Sequence, residues 1–217
     1  MLRARLSELK PLIKICGLTT APAVKLCVDL GVDLLGFIFH KQSPRYVDPA
    51  VVRTFDTQDR LRVGVFVTSD IQEILAIMDE AKLDLAQLHG DQGIEVAKAI
   101  GPNKVIRVFW PERDQDTPGA LEKEMAVWRN GALFYLLDAG KDLGGHGRKI
   151  ANPTFNSPKP YFLAGGLTVQ DFSKLWPSPD RNLWGLDFNS GVETAPGQKD
   201  ETALRVLAIA RSPFRAL

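Results

Sequence analysis

Eight short runs of apolar and β-branched residues punctuate the chain: LIKIC (Leu12 to Cys16), LLGFIF (Leu34 to Phe39), LRVGVFV (Leu61 to Val67), LDLAQLH (Leu83 to His89), KVIRVFW (Lys104 to Trp110), LFYLLDA (Leu133 to Ala139), YFLAGG (Tyr161 to Gly166) and LWGLDF (Leu183 to Phe188). Each is strand length, and their starts lie roughly 21 to 29 residues apart. Apolar residues at helical spacing fill most of the intervals. They predict helices over Pro22 to Leu30, Pro49 to Phe55, Ile71 to Glu80, Gln92 to Ile100, Pro118 to Arg129, Val169 to Trp176 and Glu201 to Ala210. Only the interval after the sixth run reads poorly as helix.

Strands that alternate with helices at this period build βαβ units, hence a parallel sheet. Near-continuous apolar strands mean a sheet covered on both faces, and eight units favour closure into an α/β (β/α)8 (TIM) barrel. An open doubly wound sheet is the competing architecture. It calls for a GxGxxG turn after the first strand, whereas the glycine-rich turn of this chain, Gly144 to Gly147, follows the sixth. A length of 217 residues suits one such barrel. Residues 12–217 are therefore expected to form a single domain, with residues 1–11 as an exposed N-terminal extension.

A barrel of this kind carries its site at the C-terminal ends of the strands, so the residue closing each run matters most. These are Cys16, His40, Thr68, His89, Trp110, Asp138, Gly165 with Gly166, and Asp187 with Asn189. Alternation along a strand puts Lys14 on the face of Cys16, Gln87 on that of His89, and Asp187 on that of Asn189. The seventh and eighth runs end in small or hydroxyl residues ahead of predicted helices. Backbone N–H groups of Gly165, Gly166, Ser190 and Gly191 can approach an anion closely there, and two such turns side by side form a phosphate cup. Taken singly, each also reads as an ordinary strand-to-helix turn.

A thiol at the mouth, Cys16, can act as a nucleophile or, once ionised, as a general base. A nearby Lys14 ammonium is expected to lower its pKa from about 8.5. Cys27, on the apolar face of the first helix, reads instead as a small buried hydrophobe. Asp138 closes the apolar run FYLL, where burial disfavours ionisation and suits a general acid; the alternative is a loop-tethering aspartate. Arg45 follows Ser43-Pro44 and can clamp a carboxylate bidentately, or lie in solvent. His89 and Gln87 read as hydrogen-bond partners at the rim, and Phe37, Phe39, Phe66 and Phe109 as core.

Composition excludes more than it adds. A net charge of +1 gives no field for capturing nucleic acid or an anionic membrane, and no run approaches a membrane span. Two cysteines without CxxC spacing and three histidines imply a reduced, metal-free protein. Residues 1–11 lack the apolar core of a signal peptide, so the expected location is cytoplasmic.

Seven motifs in order resemble the phosphoribosylanthranilate isomerase family of tryptophan biosynthesis. They are KICGLT (Lys14 to Thr19), GFIFHKQSPRYV (Gly36 to Val47), VGVFV (Val63 to Val67), QLHGDQ (Gln87 to Gln92), LLDA (Leu136 to Ala139), LAGGL (Leu163 to Leu167) and GLDFNSGVETAPGQKD (Gly185 to Asp200). The resemblance implies a barrel that isomerises N-(5-phosphoribosyl)anthranilate to 1-(2-carboxyphenylamino)-1-deoxyribulose 5-phosphate by an Amadori rearrangement. It implies no cofactor and no partner beyond the phosphorylated small molecule, as a monomer or homodimer. By similarity Cys16 matches the general base, Asp138 the general acid and Arg45 the contact to the anthranilate carboxylate. Gly165, Gly166 and Asn189 to Gly191 match the phosphate site, and Asp187 matches a rim carboxylate near the aromatic ring. The chain departs from the family after the sixth strand, where Gly144 to Asn152 replaces the usual GGTG and aromatic stretch; His146 or Arg148 is a candidate for loop closure there. Two other readings compete. One is a lyase or synthase of the indole branch, which would recruit a strand-end lysine, here Lys14; the other is a phosphate-binding module without turnover.

Overall fold

The structure is a computed structural model that describes Leu6 and residues 11–111, 119–138 and 157–214. Eight strands close into a parallel barrel in sequence order: β1 (Leu12–Ile15), β2 (Leu34–Ile38), β3 (Leu61–Phe66), β4 (Leu85–Leu88), β5 (Val105–Phe109), β6 (Phe134–Leu137), β7 (Tyr161–Leu163) and β8 (Leu183–Phe188). Around it run α1 (Ala21–Asp29), α2 (Pro49–Arg53), α3 (Ile71–Glu80), α4 (Ile94–Ile100), α5 (Ala120–Val127), α6 (Val169–Leu175) and α7 (Glu201–Arg211). The interval after β6, with His146 and Arg148, lies outside the described residues. Among those described, no helix is long and apolar enough to cross a membrane.

Strand alternation sorts the side chains into two layers. Ile13, Ile15, Leu35, Phe37, Phe39, Phe66 and Phe109 point outward and pack with the buried helix faces. Leu12, Leu34, Val63, Leu85, Ile106, Phe134, Phe162 and Trp184 fill the barrel interior. Leu6 is buried in that same interior cluster. Burying a leucine side chain there removes apolar surface from water, at about 25 cal/mol per Å².

Polar side chains start the helices. Asp70 accepts from the N–H groups of Gln72 and Glu73, Asp200 from Ala203, and Asp48 from Ala50 just ahead of Pro49. Several helices are shorter than the pattern predicts, and for two of them the structure shows why. The second ends at Arg53, where the Thr54 hydroxyl turns back to donate to the Val51 carbonyl at 2.7 Å. The fourth starts at Ile94 because Gln92 is buried and occupied in the preceding loop. Its amide accepts from Gly90 N at 2.8 Å and donates to the Phe66 and Thr68 carbonyls at 2.9 Å each.

A further departure bears on the site. After β8 the chain does not enter a helix directly. It makes one 3-10 turn (Ser190–Val192), then an antiparallel ribbon of β9 (Glu193–Ala195) and β10 (Gln198–Lys199), and only then α7.

Candidate active site

β1 to β5 each end one residue before the apolar run that predicts them. Consequently the first residue past several strands projects into the mouth: Cys16 after β1, Val67 after β3, His89 after β4, Asp138 after β6 and Asn189 after β8 all line one cavity of about 330 Å³. Their same-face neighbours two residues earlier, Val65, Gln87 and Asp187, line it as well. Arg45 and Ser43 come from the loop after β2, and Gly165, Gly166 and Ser190 from the turns after β7 and β8. Thus nine predicted site residues, Cys16, Asp138, Arg45, Asp187, Gly165, Gly166, Asn189, Ser190 and His89, meet at one opening.

Lys14 and Gly191 stand behind that surface. Parallel pairing of β1 with β8 sets Lys14 level with Asp187, and the two inward side chains form an ion pair of 2.9 Å. Lys14 is fully buried, and the second Asp187 oxygen, Oδ1, is buried with no hydrogen-bond partner among the described residues. Burial opposes the charge on Lys14, yet Asp187 and Cys16 together hold the ammonium above its ordinary value. Burial pushes Asp187 up, with Lys14 offsetting part of the effect. Of the pair, the ammonium is the partner fixed in its charged form, since it faces both acidic groups. Lys14 is buried in this pair and is not among the residues lining the cavity, so the lysine that the indole-branch reading would recruit is not presented to a ligand there.

The thiol of Cys16 behaves differently from the expectation. Lys14 does draw it down, by charge and by hydrogen bonding, and Lys199 adds to the pull, but burial is the larger influence and Cys16 lies above the ordinary thiol value. Gly36, level with it on β2, keeps the thiol and ammonium close. A Cβ there would sit 3.0 Å from Cys16 Sγ and 3.1 Å from Lys14 Nζ. Cys27, buried under α1, is pushed up to about 12, as suits a small hydrophobe.

On the opposite wall, Asp138 keeps 22% of its side chain exposed, and its Oδ2 lies 3.7 Å from His89 Nε2. Gln87 Nε2 lies 3.1 Å from His89 Nδ1. The Gln87 amide braces the ring on the side away from Asp138, with donor and acceptor roles that follow the imidazole tautomer. Trp110 meets the imidazole edge-on at 5.5 Å and holds the ring plane.

Gly165 and Gly166 both adopt left-handed backbone, with φ of 105° and 63°, which few other residues tolerate. Gly191 brings the two turns together: a Cβ on it would lie 2.0 Å from the Leu167 carbonyl oxygen. Its contribution is close packing of one turn on the other. Arg45 is held by the ribbon, its Nε and Nη2 donating to the Glu193 carboxylate at 2.7–3.0 Å. The carboxylate that the arginine grips bidentately in this structure is therefore the protein's own. Position at the end of a barrel strand does not point to Glu193 or to its second partner, Lys199, because a ribbon after β8 escapes that criterion, although both fall in the last motif. Among the described residues, no group of three or more His, Cys, Asp or Glu side chains is arranged to hold a metal ion.

With this geometry in place, known proteins give a consistent comparison. Residues 13–208 match the family model described as N-(5'-phosphoribosyl)anthranilate (PRA) isomerase. The chain is 45% identical over 205 residues to the N-(5'-phosphoribosyl)anthranilate isomerase of Desulfovibrio desulfuricans, a match covering 92% of this chain and 95% of that protein. Its fold is similar to the crystal structure of phosphoribosyl anthranilate isomerase from Thermus thermophilus, with a TM-score of 0.78 and 31% identity over 94% of this chain and 100% of that one. A phosphoribosyl anthranilate isomerase solved in complex with reduced 1-(o-carboxyphenylamino)-1-deoxyribulose 5-phosphate gives a TM-score of 0.75 and 27% identity, covering 93% and 98%.

Proposed function

The chain belongs to the N-(5'-phosphoribosyl)anthranilate isomerase family and is an isomerase of tryptophan biosynthesis, and on that basis we propose that Cys16 is its general base and Asp138 its general acid. The observation that carries the assignment is their placement immediately after β1 and β6, at one cavity whose remaining wall offers Arg45 and the paired turns after β7 and β8.

The steps follow from that placement. Asp138 donates its proton to the furanose ring oxygen as the C1–O bond breaks, and the anthranilate nitrogen lone pair forms the C1=N bond of an iminium. Cys16, as thiolate, removes the proton from C2. The C2–H electrons become the C1=C2 bond, and the C=N electrons return to nitrogen, giving an enolamine. Loss of the C2 hydroxyl proton and protonation at C1 then yield the ketone. The nitrogen of the substrate is itself the electron sink.

Positioning supplies the rest. Arg45 meets the anthranilate carboxylate, while the turns at Gly165–Gly166 and Asn189–Ser190 take the phosphate. Holding a ligand at both ends places C1 and C2 between base and acid, and such positioning contributes several kcal/mol, on the order of 7–11 in the best cases. Val65 and Val67 give an apolar wall for an aromatic ring.

A fluorescence assay of phosphoribosylanthranilate generated in situ tests the assignment. Each of Cys16→Ser and Asp138→Asn should lower kcat by roughly 10²–10⁴-fold, the usual contribution of a positioned acid or base. The parent's kcat/KM should rise with pH as the thiol ionises and fall as the acid loses its proton. Variants within tenfold of the parent would sink the assignment.

A further inference from the structure

The proposed mechanism leaves unused the most heavily paired polar group near the mouth. Glu193 heads the ribbon, and its side chain is only 3% exposed. It accepts from Arg45 Nε at 3.0 Å on each oxygen, from Arg45 Nη2 at 2.7 Å, from Lys199 Nζ at 2.7 Å and from Gly197 N at 3.2 Å. Lys199 in turn donates to Asn189 Oδ1 at 3.0 Å. The Thr19 hydroxyl ties the ribbon's turn to the loop after β1 by donating to the Gly197 carbonyl at 2.9 Å. We infer that Glu193, gripped between Arg45 and Lys199, is a positioning residue that orients the Arg45 guanidinium and sets its spacing from the Asn189–Ser190 turn. It thereby tunes the site to a ligand carrying a carboxylate at one end and a phosphate at the other.

Three observations support this. Glu193 occupies the Nε–Nη2 edge of the guanidinium, so the donors left for a ligand are the two N–H groups of Nη1 and the second N–H of Nη2. A guanidinium has five N–H donors in a rigid fork, and fixing one edge fixes the direction of the others. Next, Arg45 and Asn189 converge on Gly17, where a Cβ would lie 2.8 Å from Arg45 Cδ and 2.7 Å from Asn189 Oδ1. The arginine and the turn after β8 are thus joined twice, through Gly17 and through Glu193–Lys199–Asn189. Finally, two cations share one carboxylate, which leaves the cluster one positive charge in excess. Burial alone would raise Glu193, but Arg45 and Lys199 outweigh it and hold the carboxyl below its ordinary value, so the charge is present throughout the neutral range.

The inference rests on the reading of Arg45 as the carboxylate contact, and its test separates the two. Glu193→Gln removes one negative charge beside the site. If Glu193 served only to neutralise, the variant would bind an anionic substrate more tightly. If it positions Arg45, KM rises despite the added positive charge. We expect KM for phosphoribosylanthranilate to rise roughly tenfold in Glu193→Gln, with kcat within about twofold, the signature of lost binding common to ground and transition states. Glu193→Asp, which keeps the charge and shortens the reach, should raise KM as well. In Glu193→Gln/Arg45→Met the KM should match that of Arg45→Met alone, because the glutamate acts through the arginine. An unchanged or lowered KM in Glu193→Gln or Glu193→Asp, a fall in kcat at constant KM, or effects that multiply in the double variant would each overturn the inference while leaving Arg45 in its role. A normal KM in Arg45→Met would overturn that role and the inference with it.

Discussion

Replacing Lys14 by Met isolates the ion pair beneath the site. The pair spans 2.9 Å with both partners buried, and at an effective dielectric of about 20 its gross attraction is about 6 kcal/mol. Methionine has similar length and fills the space, so little is lost to a cavity. What remains is the Asp187 carboxylate, with one oxygen already lacking a partner among the described residues and the other now deprived of its own. Removing one member of a buried pair costs about 3–5 kcal/mol, because the survivor cannot regain its hydration. The pH dependence has a definite sign. Burial already raises Asp187, and without Lys14 it rises further, so the native state holds a proton that the unfolded state, with a carboxyl near 3.9, has released. Stability then falls as pH increases. Urea denaturation of parent and Lys14→Met at pH 5 and pH 8 measures this: the deficit should be larger at pH 8, and Lys14→Met/Asp187→Leu should recover most of it. The same variant removes the main counter-charge of Cys16, so its thiol rises, alkylation by iodoacetamide at pH 7 slows, and the rising limb of kcat/KM moves to higher pH. A deficit below about 1 kcal/mol, or one equal at the two pH values, would refute the view that these two charges depend on each other.

Three other outcomes are expected. Ser190→Asp places a carboxylate at the cavity wall beside the phosphate turn, and like charges about 4 Å apart at an effective dielectric of 20 repel by about 4 kcal/mol; KM should rise at least tenfold, and an unaltered KM would remove the turn from the phosphate site. Gly191→Ala puts a methyl 2.0 Å from the Leu167 carbonyl; the turns must separate, lowering stability by about 1–3 kcal/mol and raising KM, as a thermal melt and the steady-state assay would show. Glu193 has a folded pKa below its unfolded value, so its stabilisation is present above the ordinary carboxyl range and lost as pH falls through the folded value; acid titration should therefore unfold Glu193→Gln with a shallower pH dependence than the parent.

Most of the architecture was legible from periodicity. Strands in a closed parallel barrel are buried on both faces, which makes them apolar runs, and the helical repeats between them fix their order. The boundaries were less legible. Gln92 fits a helical pattern yet is used as a loop brace, and the ribbon Glu193–Lys199 sits where the pattern foretells only the approach to a helix. Cys16, Asp138, Arg45 and the glycines after β7 were found because a barrel gathers its strand ends, so a residue's place in its own run predicts its place at the mouth.

Ionisation and partnership were not legible in that way. Lys14 suggested a lowered thiol pKa, since the sequence displays the charge but not the burial that outweighs it. Lys14 meets Asp187 only because β1 closes on β8, across a separation of 173 residues. Arg45 meets Glu193 for a similar reason, 148 residues apart. Alone, the sequence determined how many strands build the barrel, which faces turn inward and which strand-end side chains reach the opening, because these depend on alternation within a single segment. Tertiary structure decided which charges pair, how far each group is taken out of water and what the arginine is holding. Those are sums over neighbours from distant segments, brought within a few ångströms only when the barrel closes.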